Sequence, residues 1–227
     1  MKFWCAIAGL LLLIGAAQAQ EEPGCGSLNN PAYGPFDYRT ATVFEKNMVQ
    51  NAHFTPGVES LRVRKTGPLG HDIGYTLRAF PNHPRALAAM QRLAEKEKRD
   101  PPEGAPYSVE CFYERGLRFR PDDSGVRLLY ANYMLGRGKT EEARRHLEYL
   151  SKVATEEALT LHNIGLLYFD MGDYALALEH EHRASALGLQ RTDLKERLQK
   201  AGQWSEPPAD PASAAASAPV GTQAPKP

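Results

Sequence analysis

Between Ser124 and Arg191 the apolar positions recur at helical spacing, and they do so twice. SGVRLLYANYMLGRGKTEEARRHLEYLSKVATEE is followed in the same register by ALTLHNIGLLYFDMGDYALALEHEHRASALGLQR, an offset of 34 residues. Small residues coincide in the two copies: Ala131 falls on Gly165, Gly138 on Gly172 and Ala143 on Ala177. Apolar residues three and four apart predict amphipathic helices, and a fixed offset of this length predicts a repeated helix pair. Two antiparallel helices approach closely only where a side chain is small. Gly165 and Ala177 are therefore the expected crossing points, with Tyr168, Tyr174 and Leu178 filling the flanks. Met171-Gly172-Asp173 supplies the turn.

Upstream the same period weakens. Tyr107 to Pro121 (YSVECFYERGLRFRP) reads as the second helix of a preceding unit, with Val109 and Gly116 at its small positions. Its first helix is Pro84 to Lys98, and RDPPEGA lengthens the loop between them. A half-unit is expected at Asp72 to Phe80, ended by Pro81. Ala41 to His53 predicts a helix with Val43, Phe44, Met48 and Val49 toward one side, followed by a short helix at Pro56 to Val63. At the other end Thr192 to Gly202 (TDLKERLQKAG) places Leu194 and Leu198 at helical spacing among charges. It reads as the polar-faced capping helix that a short repeat array needs.

NIGLLYFDMGDYALALEHEHRASAL, from Asn163 to Leu187, resembles the tetratricopeptide repeat, and Tyr130 to Tyr149 resembles it with Met134 where the family often has an aromatic. The segments YGPFDYR, AHFTP, DIGYTLRAFPNHPRAL and YSVECFYERGLRFRPDD are similar to those of exported tetratricopeptide proteins of Gram-negative bacteria. The resemblance implies an all-α fold, a short α-solenoid of antiparallel helix pairs with a C-terminal capping helix. It implies no activity, catalytic residue or ligand. The expected organisation is a signal peptide at 1–19, an extended arm at 20–40, degenerate helical units at 41–123, two repeat units plus the cap at 124–204, and a tail at 205–227. The tail, SEPPADPASAAASAPVGTQAPKP, has too little apolar surface to fold. The arm, although rich in Gly, Pro and Asn, carries Tyr33, Phe36 and Tyr38, which suits packing on the domain.

Charge removes some partner classes. The chain has 227 residues with 27 Lys and Arg against 27 Asp and Glu, so no net positive field draws it to nucleic acid or to an anionic membrane. Lys2, the apolar run Phe3 to Ala17 and the small-x-small triplet Ala17-Gln18-Ala19 read as a leader cleaved after Ala19, which predicts a periplasmic protein without stable membrane insertion. Removal of Cys5 with the leader leaves Cys25 and Cys111. They either pair as a disulfide or stand as two free thiols.

Chemistry offers little to an enzyme or a metal. His180-Glu181-His182 points its two imidazoles to opposed helix faces, and no HExxH, C-x-x-C, G-x-S-x-G or P-loop occurs. Gly67 to Gly74 reads as a loop that follows no apolar strand. No catalytic residue, metal or cofactor is expected. A repeat array does present a concave groove, here expected from Leu128, Asn132, Leu135, His162, Asn163, Leu166, Phe169 and Asp170, with Arg197 at the rim. Asn132, Asn163 and Arg197 fall where tetratricopeptide carboxylate clamps have binding residues, while Leu128 and Asp193 replace the two lysines of that pattern. The expected function is a non-enzymatic scaffold that holds a protein or peptide of the cell envelope in this groove. The alternative is a structural subunit whose own arm fills the groove, with an enzyme a distant third.

Overall fold

The computed structural model describes residues 24–29 and 33–207. Among them the chain forms ten α-helices and no strand. The expected leader at 1–19 and residues 208–227 of the expected tail lie outside the described residues.

The first helix, α1 (Val43–His53), begins at a capping box: the Glu45 amide donates to Thr42 Oγ1 at 3.2 Å, and the Thr42 amide donates to Glu45 Oε2 at 2.7 Å. Its orientation differs from the sequence expectation. Val49 alone is buried, against Ala79 and Phe80, while Val43, Phe44 and Met48 are 74%, 69% and 54% exposed. The positions of α1 that are half-buried beside Val49 are Glu45, Lys46, Gln50 and His53, so the inward stripe is mostly polar, while Val43, Phe44, Met48 and Ala52 are exposed.

After the single turn α2 (Pro56–Glu59) comes α3 (Leu69–Ala79). It begins inside the segment expected to be a loop, Gly67 to Gly74. The glycines serve packing here: a Cβ on Gly74 would lie 3.0 Å from Pro106 Cδ, and one on Gly70 would collide with the Glu103 carbonyl. Buried Asp72 holds the preceding loop by accepting from the Lys65 amide at 2.9 Å. At the next corner His83 caps α4 (Pro84–Glu97), accepting from the Ala86 amide at 3.3 Å. Ser108 opens α5 (Val109–Phe119), accepting from the Cys111 amide at 3.2 Å.

The regular part follows. Asp123 caps α6 (Ser124–Gly136), α7 spans Thr140–Val153, α8 spans Ala158–Asp170 and α9 spans Tyr174–Ala186. The starts of α6 and α8 are 34 residues apart, as are those of α7 and α9. Each pair is joined by three residues and packs together, so its members run antiparallel. Both turns close identically. Gly138 and Gly172 take φ of 75° and 78°, a conformation that costs a side-chain-bearing residue energy, and the following amides donate back to Met134 O and Tyr168 O, each at 2.9 Å. Gly165 allows the α8–α9 crossing: a Cβ there would sit 3.1 Å from the Ala177 carbonyl and 2.6 Å from Leu194 Cδ2. Leu194 belongs to α10 (Asp193–Lys200), which packs on both α8 and α9.

Two apolar cores meet at α6. One runs from Phe54 and Val58 to Tyr130, Tyr133 and Met134; the other joins Ala131 to Leu147, Leu161, Ile164, Tyr168, Ala177, Leu194 and Leu198. Helices α4, α6 and α8 pack in succession through the middle of the molecule.

The arm docks on the α1, α3 and α5 side. Tyr33, Phe36 and Tyr38 pack on the cluster of Val49, Ala79 and Phe80, and the Phe36 amide donates to Ala79 O at 2.8 Å. Cys25 and Cys111 form a disulfide, with Cα atoms 5.1 Å apart. Buried Arg115 donates to the carbonyls of Cys25 and Ser27, both at 2.9 Å, and Arg118 to that of Gly26 at 2.6 Å. The start of the expected tail is also docked: Ser205 O lies 2.9 Å from His182 Nε2, and Trp204 Nε1 donates to Glu206 at 3.0 Å.

Candidate functional site

The expected groove residues come from α6, α8 and α10. Leu128, Leu135, Leu166 and Phe169 are half-buried at the border of the second core, where they give an apolar floor that still meets solvent. Asn132 is exposed and Asn163 half-buried, and no hydrogen bond among the described residues engages either side-chain amide. Arg197 donates to Asp170, and its guanidinium lies 4.3 Å over the Phe169 ring. Its charge is thus matched within the protein, which leaves no free cation of the kind a carboxylate clamp needs at that position.

His162 departs from the groove. It is fully buried, pointing through the helix pair instead of out of it. Nδ1 lies 2.7 Å from Oε2 of Glu181 on α9, which is also buried, and Nε2 lies 3.1 Å from Oδ1 of Asp193 on α10. The second contact is a close approach of imidazole and carboxylate in which Nε2 makes no hydrogen bond. Burial works to lower the pKa of His162, but the hydrogen bond and charge of Glu181, joined by Asp193, outweigh it and raise the net value. The Arg191 hydrogen bond, against a smaller opposing effect of burial and with help from His162, holds the Asp193 carboxyl at about 2. The group is a charged pin through α8, α9 and α10. The sequence spacing could not show it, because a histidine on a repeat helix looks the same whether it faces the groove or the partner helix.

His180 and His182 are engaged within the fold. His180 Nδ1 lies 2.7 Å from Leu176 O and Nε2 2.7 Å from Ser151 Oγ, while His182 faces Trp204 on the opposite side. Cys25, Cys111 and Glu114 are the one group with metal-ligand chemistry among the described residues, and its two sulfurs are bonded to each other. The Glu114 carboxylate lies 2.9 Å from Cys25 Sγ, a contact without a shared proton because a disulfide sulfur has none to donate.

A hollow shares α6 with the expected groove. It measures about 530 Å³ and opens between the end of α4, the loop to α5 and the end of α6. Lys98, Arg99 and Arg137 line it, together with Glu95, Asp100 and Tyr133. Sequence reasoning missed it because basic residues at helix C-termini are expected there for the helix dipole alone.

Comparison with protein-family models, with curated proteins and with solved structures gave no match. The functional reading therefore rests on the residues and their geometry.

Proposed function

We propose that this chain is a tetratricopeptide-type α-solenoid that acts without catalysis, binding an extended peptide or a partner helix of the cell envelope along the face formed by α6 and α8. The observation that carries the reading is the pair of unengaged amides of Asn132 and Asn163, set among half-buried Leu128, Leu135 and Leu166. An extended peptide needs apolar pockets for its side chains and donors or acceptors for its backbone, and this face offers both. The 34-residue spacing of α6 to α8 and of α7 to α9 supports the repeat assignment. The leader supports the compartment.

The place of the arm favours an open groove over one filled in cis, since its described contacts run to α1, α3, α5 and the corners around Asn82 and Asp122, and none of its described hydrogen bonds, ion pairs or ring contacts reaches Leu128, Asn132, Leu135, Asn163 or Leu166. The test is quantitative capture from periplasmic extract by the mature chain and by Asn132→Ala and Asn163→Ala. Each substitution is expected to weaken capture of a given partner by about 1 to 2 kcal/mol, since a buried backbone group of the partner loses its mate. Equal capture by all three proteins would move the contact surface away from α6 and α8.

A further inference from the structure

The hollow between α4, α5 and α6 is charged in a way the fold does not use up. Glu95 accepts from Gln91 Nε2 at 3.0 Å, and Asp100 accepts from the Val109 amide at 2.9 Å, so both carboxylates have a structural task. Lys98, Arg99 and Arg137 have no carboxylate partner among the described residues. Three cations against two anions leave a surplus of one positive charge in the lining.

A second observation is independent of charge. Tyr133 is only 6% exposed; its ring is tilted against Tyr113 at 5.4 Å and stacks with Tyr130 at 6.4 Å. Tyr133 lines the hollow and its hydroxyl makes no hydrogen bond within the described residues, whereas the neighbouring Tyr113 hydroxyl donates to Gln91 Oε1 at 2.9 Å. That hydroxyl is not sealed off from solvent, so a molecule entering the hollow can reach it. Burial, followed by the charge of Asp100, keeps the Tyr133 phenol above its ordinary pKa, so it stands there as a neutral donor.

We infer that the hollow is a binding site for a small monocarboxylate, held by the Arg137 and Lys98 cations and by a hydrogen bond from the Tyr133 hydroxyl. The surplus of one charge matches a carboxylate better than a phosphate dianion, which the same lining would leave undercompensated. Ala94 and Val109 provide apolar wall for the body of the ligand, and the volume lies in the range of small-molecule sites. This inference does not depend on the peptide groove. It concerns other residues and a ligand of another class.

The test is calorimetric titration of the mature protein with N-acetyl-leucine, with its uncharged amide, and with inorganic phosphate as competitor. The acid is expected to bind and the amide not, with affinity falling as salt rises. Tyr133→Phe, which keeps the ring packing, should weaken the acid about tenfold, the size of one hydrogen bond to a charged group. Arg137→Gln, an exposed substitution that leaves the core untouched, should weaken it further. Equal binding of acid and amide, absence of binding by both, or unchanged affinity in both variants would overturn the site. Full displacement of the acid by an equal concentration of phosphate would overturn the carboxylate assignment.

Discussion

The imidazole of His162 and the carboxylate of Glu181 face each other across α8 and α9 at 2.7 Å, both buried, and Asp193 closes the other side of the ring. Glu181 needs a proton-bearing partner in this interior, because an unpaired buried carboxylate is far more costly than a paired one.

The pair predicts a pH dependence with a definite sign. The pKa of His162 is raised above its ordinary 6.5 in the folded protein, so its stabilising effect is complete below that value and is lost as pH rises through the raised one. Melting temperature should therefore fall as pH is taken above 6.5. Glu181→Gln should lower stability by roughly 2 kcal/mol at slightly acid pH and flatten this slope. A slope identical in wild type and Glu181→Gln would show that the pin does not titrate.

The α8–α9 crossing tolerates no added bulk. Ala177 is buried, and its carbonyl would stand 3.1 Å from a Cβ on Gly165. Ala177→Leu is expected to cost about 1 to 3 kcal/mol by overpacking, read as a lower denaturant midpoint. An unchanged midpoint would mean that the two helices separate more readily than this geometry allows.

The disulfide closes a separation of 86 residues and ties the arm to α5. In the chain-entropy picture a loop of that length gives about 4.6 kcal/mol. The double variant Cys25→Ser and Cys111→Ser should melt well below wild type, and reductant should lower wild type toward the variant. Mass spectrometry of the unreduced protein checks the bond itself, since two alkylatable thiols would remove this prediction.

Where the folded part ends is also testable. Truncation after Pro207 should leave the melt unchanged. Truncation after Trp204 removes the contacts of Ser205 with His182 and of Glu206 with Trp204, and should lower the melting temperature slightly. Identical melts for both truncations would show that these exposed contacts contribute nothing.

The regular half of this protein was legible before any coordinates. The turns at Gly138 and Gly172, the crossing at Gly165 and Ala177 and the cap at Leu194 and Leu198 all follow from spacing, because in a helix pair small residues and glycines have few other uses. The irregular half was legible only in outline. Periodicity placed a helix near Val43–His53 but turned it the wrong way, since burial depends on what packs against a helix and not on its own apolar residues. The glycines of Gly67 to Gly74 signalled a loop, and the close approach of residues 103–106 makes them helical packing sites instead.

The side-chain networks belong to the tertiary structure alone. His162, Glu181 and Asp193 come from three helices, and Lys98, Arg99, Tyr133 and Arg137 from two helix ends and a loop. Spacing along one helix gives the direction of a side chain relative to its own axis. The groups it meets are set by how helices far apart in the chain are docked, and that information enters only when the cores close.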